Sequence, residues 1–228
     1  MKKLLFTIVL LLIPTVSYAM TLGEEDFVCP IDNHQFKAPI NYSGTSFGMR
    51  LDMKPLGPTP SPWLLPTCPQ CGFPLFKKEF SKAEIKKYRS FVTSDAYKQY
   101  VGGHPSYFLL AKVKEFDKAP ANEIAYRYIQ ASWQVENRDK EQYKSYLSLA
   151  LKENIAFVKN TEDKGEDWLT ACIMMGELER QLGNFEAALI QFKKLQREPI
   201  ENEILKRIIS QEIDLCQKNI SSPQQIEQ

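Results

Sequence analysis

The chain has 228 residues, 43% of them hydrophobic and 25% charged, which excludes a disordered or low-complexity polypeptide and suits one large domain or a small one beside a larger one. Its 29 Lys and Arg are balanced by 28 Asp and Glu, so no net field recommends nucleic acid, an anionic membrane or an acidic substrate as partner.

The first residues read as an address and not as fold. Lys2 and Lys3 make a basic start, residues 4–16 an apolar run containing Thr7 and Pro14, and Ser17-Tyr18-Ala19 a small-x-small cleavage site. This order predicts a secretory signal peptide over residues 1–19, leaving Met20 as the new N-terminus. The run is too short to cross a bilayer, and nothing later is apolar for long enough. No cysteine follows the cleavage site, which argues against a lipid anchor. The expectation is a protein secreted across the inner membrane into the periplasm, without a membrane span after cleavage.

Residues 20–80 are rich in Pro and Gly, and Pro55-Leu56-Gly57-Pro58-Thr59-Pro60-Ser61-Pro62 excludes both helix and central strand. A segment with so little core of its own is usually stapled by metal or disulfides. Cys68-Pro69-Gln70-Cys71-Gly72-Phe73 has the shape of a metal knuckle, two thiolates on a tight turn, and Cys29-Pro30-Ile31-Asp32-Asn33-His34 echoes it upstream. Cys29, Cys68 and Cys71 supply three ligands for a structural zinc ion, and the fourth is either His34, at Cys-x4-His spacing, or Asp32, at the knuckle position itself. Export keeps a thiol-disulfide alternative open for Cys68 and Cys71. Against it, Pro74 discourages the helix that should follow a thioredoxin-like site. Haem attachment fails because Gly72 stands where His is required. Arg50 and Asp52, at alternate positions, either share one face of a strand or are solvated loop charges.

Helical patterning begins at Ser81-Lys82-Ala83-Glu84, a capping box followed by Ile85, Tyr88, Phe91 and Val92. Residues 81–120 read as connecting helices: a piece over 95–101 stops at Gly102-Gly103, and His104-Pro105, with His104 as a surface or turn residue, opens another. Residues 121–220 read as longer helices in pairs. Ile124, Ala125, Tyr128, Ile129 and Trp133 form one stripe. Asp139, with Gln142 completing its box, starts the partner helix, whose apolar face only Asn154 breaks. Trp168, Leu169, Cys172, Met175 and Leu182 lead to a turn at Gly183-Asn184, and Phe185, Ala188, Leu189, Phe192 and Leu195 return. Pro199 precedes a last helix through Ile204, Ile208 and Leu215. Cys172 and Cys216 lie on apolar faces as packed thiols, although export would allow them to pair. Residues 221–228 read as a flexible tail.

Met175-Gly176, Leu182-Gly183-Asn184-Phe185, Ala188, Phe192 and Pro199 resemble one tetratricopeptide repeat (TPR), in which small residues let paired helices approach and the glycine makes the turn. The whole chain resembles a bacterial family of unknown function that opens with Cys-Pro-x-Cys, passes an Arg-x-Asp region to Cys-Pro-x-Cys-Gly-aromatic, and ends in TPR-like helices. Asp32 departs from that pattern, standing where the family has its second cysteine. The resemblance implies a mainly α fold, a small zinc-ribbon-like N-terminal module followed by a TPR-like helical hairpin bundle, and it implies no reaction.

No HExxH, nucleophile elbow or phosphate-binding glycine loop occurs. The expectation is a non-enzymatic interaction module for a protein or peptide partner, with structural zinc. The alternative is a thiol-redox protein or zinc enzyme using Cys68 and Cys71.

Overall fold

A computed structural model of the protein describes residues 20–227; the expected signal peptide lies outside them. The chain begins as an antiparallel hairpin, β1 (Thr21–Val28) against β2 (Gln35–Ser43), with Val28 opposite Gln35 and Leu22 opposite Asn41. Only Ala38 of these two strands is buried, so the hairpin has almost no core of its own, and its turn carries the first cysteine knuckle. The proline-rich stretch after it forms loops and isolated bridges, including Thr67 with Pro74 around the second knuckle.

Eight helices follow among the described residues, as the mainly α expectation requires. Helix α1 (Lys82–Val92) starts on the expected box: Glu84 N–H donates to the Ser81 hydroxyl and Ser81 N–H to the Glu84 carboxylate. Helix α2 (Asp95–Lys98) is shorter than its pattern, because Tyr100 and Val101 close tight three-residue turns onto Tyr97 and Lys98 before the glycines. Helix α3 (Ser106–Asp117) follows Pro105, and α4 (Ala121–Val135) follows Pro120. The Asp139 side chain caps α5 (Lys140–Asn160), but Gln142 does not complete the box; it donates to Gly103 O and accepts from the Tyr146 hydroxyl. Helix α6 (Glu166–Leu182) ends on Gly183 at φ 87°, a left-handed cap that glycine adopts without a Cβ penalty. Helices α7 (Phe185–Leu195) and α8 (Glu203–Gln217) complete the chain of packed neighbours. No helix among the described residues is long and apolar enough to cross a membrane.

Two apolar clusters result. The first gathers Cys29, Cys68 and Phe73 of the head with Tyr88, Phe108, Tyr128, Leu147 and Leu178 of the helices. The second joins Trp168, Cys172, Phe192, Leu195, Ile209 and Cys216 with Leu51 of the head. Cys172 and Cys216 are buried free thiols, each pushed up to about 11 by burial.

Three local expectations change. His104 stands at the expected turn but is half-buried and not free: its ring stacks on Phe108 with centroids 3.9 Å apart, and Nδ1 meets the Tyr146 hydroxyl at 2.7 Å. Arg50 and Asp52 are neither solvated nor on a strand. The tail expected to be flexible returns to the head, Leu51 N–H donating to Gln224 O and Ile226 N–H to Met49 O, each at 2.9 Å. Its backbone completes the hydrogen bonding of the 49–51 loop, and Ile226 packs against the second cluster.

Helices α6 and α7 approach through small residues. A Cβ on Gly176 would clash with the ring of Phe192, and that ring, like Ala188, has no exposed surface into which to move. Gly176→Ala and Ala188→Leu should therefore each cost about 1–3 kcal/mol by overpacking, outweighing the ~1 kcal/mol that Gly→Ala gains in helix propensity. Thermal unfolding checks this; an unchanged melting temperature in both variants would mean that the interface has room.

Candidate metal centre

The two knuckles are the same turn made twice. In the first, Cys29 N–H donates to His34 O and Asn33 N–H to Cys29 O, both at 2.9 Å; in the second, Cys68 N–H donates to Phe73 O at 3.0 Å and Gly72 N–H to Cys68 O at 2.9 Å. The fifth residue of each is left-handed, Asn33 at φ 62° and Gly72 at φ 73°. Asn tolerates this conformation through its short polar side chain. At Gly72 a Cβ would also come within 2.7 Å of Val101, so only glycine fits.

This correspondence places Asp32 where the other knuckle has Cys71. The ligand atoms of Cys29, Asp32, Cys68 and Cys71 all lie within 4.8 Å of one another. Cys29 Sγ is 3.5 Å from Cys71 Sγ, and Cys68 Sγ is 3.6 and 3.7 Å from the Asp32 oxygens. Of the five candidates named by sequence, His34 alone stays outside this group. Its backbone N–H holds the Asp32 carboxylate at 3.0 Å, and its ring stacks on Phe36. Position explains this, since His34 matches Phe73 and not a ligand position.

Cys29 and Cys68 are almost fully buried, at 0% and 1% exposure. The hydrogen bond from Cys71 draws the Cys29 thiol down to about 7, against the effect of burial. The same bond, then burial, pushes Cys71 up, and burial raises Cys68. Burial would raise Asp32 as well, but the His34 N–H and the three thiols hold it below its usual value. The arrangement therefore already favours negative charge on Cys29 and Asp32, the form in which both bind metal. Helices brace the knuckles from outside: Arg89 of α1 donates to Ile31 O at 2.9 Å, and the Tyr97 hydroxyl of α2 donates to Gly72 O at 2.8 Å.

The Arg50-Leu51-Asp52 loop lies elsewhere in the head and locks it to the helices. Arg50 Nε and Nη2 fork onto Asp52 at 3.0 and 2.5 Å, Trp133 Nε1 of α4 donates to the same carboxylate at 2.9 Å, and Arg50 Nη1 reaches Glu136 at 2.8 Å. The family described as uncharacterized protein conserved in bacteria (DUF2225) matches residues 22–218, nearly the whole described chain. The chain belongs to this family. No curated protein and no solved structure matches it.

In this family member a second charged group was not foreseen: Glu177, Arg180 and Glu212, each with no exposed surface. Arg180 Nε donates to Glu177 and Glu212 at 2.9 and 2.8 Å, while Nη1 donates to Ile220 O and Ser222 O and so anchors the returning tail. The available signal was spacing, since Glu177 and Arg180 continue the buried face of Ile173 at i+4 and i+7. Burial, then the charge of Glu212, pushes the Glu177 carboxyl well above its ordinary 4.5, against the pull of Arg180. The folded protein therefore binds this proton more tightly than the unfolded chain does, and the contribution of Glu177 to stability should fall as pH rises above about 4.5. Glu177→Gln has no proton to lose. It should flatten that decline above about pH 4.5, as thermal unfolding across a pH series would read; an unaltered pH slope would show that Glu177 is already ionised when folded.

Proposed function

We propose that the protein is an exported, non-enzymatic interaction module of the cell envelope. Its head is zinc-ribbon-like, built on one structural zinc ion held by Cys29, Asp32, Cys68 and Cys71, and its TPR-like helices take a protein or peptide partner. One observation carries the metal reading: the spacing of the four ligand atoms. Zn–S bonds of about 2.3 Å in a tetrahedron set sulfurs roughly 3.7 Å apart; two cross-knuckle pairs, Cys29 with Cys71 and Cys68 with Asp32, stand 3.5 to 3.7 Å apart, and all four ligand atoms lie within 4.8 Å of one another. Three sulfurs and one oxygen suit zinc over the hard cations, which prefer all-oxygen sets. Four protein ligands close the coordination shell and leave no position for a catalytic water, which supports a structural role. The ion would join two turns that otherwise share little core, so its binding energy would be folding energy for the head. The basic, apolar, small-x-small order of residues 1–19 supports export.

A second reading has its own support. The Cys29 thiol, drawn down to about 7, faces Cys71 Sγ at 3.5 Å, a pair disposed for thiol-disulfide exchange across the two knuckles instead of within Cys68–Cys71.

Metal analysis beside thiol titration on protein purified from an exporting host separates the readings. The expected product starts at Met20 and carries one zinc per chain. Asp32→Ala should lower zinc affinity by at least about tenfold while His34→Ala leaves it close to wild type, the range seen when a metal site loses one supporting group. A metal-free protein with a reversible disulfide in the head would overturn the zinc reading in favour of the redox one. A cytoplasmic product retaining Met1 would overturn export.

A further inference from the structure

Asn154, the one polar residue on the apolar stripe of α5, is 3% exposed, and its Nδ2 has no hydrogen-bond partner. It lines a cavity of about 160 Å³ between α4, α5 and α6, walled by Ile129, Met174 and Met53 of the head, with Thr170 and the exposed carboxylate of Asp167 at its rim. An unmatched buried amide donor costs about 1–3 kcal/mol. Facing a cavity, it is a recognition element for an acceptor.

The walls narrow the ligand class. No Lys or Arg lines the cavity, so an anion would find no counter-charge and would face Asp167. A cation would leave the Asn154 donor unmatched. A neutral amide answers both groups, its carbonyl accepting from Nδ2 and its N–H donating toward Asp167. The volume is about that of five waters, enough for one amide-bearing side chain, and methionine walls adapt readily to an inserted group. We infer that this cavity binds the amide group of a peptide partner, with Asn154 as its hydrogen-bond donor and Asp167 as its acceptor. The inference deepens the interaction reading above by naming where the partner is held. It also gives the head a part in recognition, because Met53 sits at φ 67° in the loop that Arg50 and Asp52 fix against α4.

The test uses the mature chain, isotope-labelled for NMR, titrated separately with the peptide Ac-Gly-Gln-Gly-NH₂, with acetamide and with acetate. The expected result is a saturable shift of the Asn154 side-chain amide and of the Ile129, Ala171 and Met174 methyls with the peptide, a weaker one with acetamide, and none with acetate. Affinity for the peptide should fall at least tenfold in Asn154→Leu, and equally in Thr170→Tyr, whose half-buried rim position lets the ring plug the mouth without disturbing the core. Absence of a saturable shift with the peptide, or its persistence in Thr170→Tyr of unchanged melting temperature, would overturn the proposal and assign the cavity to water. Acetamide binding as tightly as the peptide would overturn the peptide source, and acetate binding equally well would overturn the amide class. Zinc content measured on the same samples keeps failure of this site distinct from failure of the metal reading.

Discussion

The Asp52 carboxylate has no exposed surface, and its hydrogen bonds come from three directions: the Arg50 fork, the Trp133 indole and the backbone N–H of Lys54. A charge taken out of water is tolerated only when it is paired and hydrogen-bonded. Removing one partner of such a pair costs about 3–5 kcal/mol, because the other is left uncompensated. Trp133 belongs to α4 and Asp52 to the head, so the position of the head on the helices follows from satisfying this one group. Leu51, between the two charges, enters the second apolar cluster, and its N–H takes Gln224 O from the returning tail. Three successive residues thus join the head, the helices and the C-terminal segment.

The knuckles depend on the same arrangement. The core around the second knuckle is shared between head and helices: Phe73 is fully buried against Phe76 and Phe80 of the head and Tyr88 of α1, a burial worth about 1.5–3 kcal/mol for one such ring. Arg89 and Tyr97 hold the turn carbonyls from α1 and α2. Held in this way, the four ligand atoms converge, and the Cys29 thiol and the Asp32 carboxyl are already biased toward the charged forms that a metal requires. The division into a head over residues 20–80 and helices beyond it therefore describes composition better than packing, since the first cluster contains Cys29, Cys68 and Phe73 together with Tyr128 and Leu178.

Glu177 and Glu212 lie within electrostatic reach of Asp52, and together with Arg180 they do for the tail what Arg50 and Asp52 do for the head. Arg180 spans two helices and two backbone carbonyls of the returning segment. Replacing such a group by apolar residues often stabilises a protein, so what the charged version provides here is a defined path for the residues after α8. The cavity lined by Asn154 is walled by α4, α5 and α6 and by Met53 of the loop that Arg50 and Asp52 fix.

Sequence alone determined much of this. Local rules were sufficient for the Ser81 capping box, the Gly183 turn, the helix stripes and the two knuckles, because each rests on residues a few positions apart. The Arg50 and Asp52 pair was visible as a pattern, and Asn154 as an interruption. What only the tertiary structure decided were the long-range choices. Spacing left both His34 and Asp32 as candidates and favoured the His34 nitrogen, whereas the matched hydrogen bonds of the two turns place Asp32 at the position of Cys71. The partners of His104, Glu177 and Arg180 were not legible because periodicity states which face a side chain occupies, but not what stands opposite it. The same holds for Asp52: its partner Trp133 is 81 residues away, and a buried charge has meaning only once the group that neutralises it has been brought into contact by the fold.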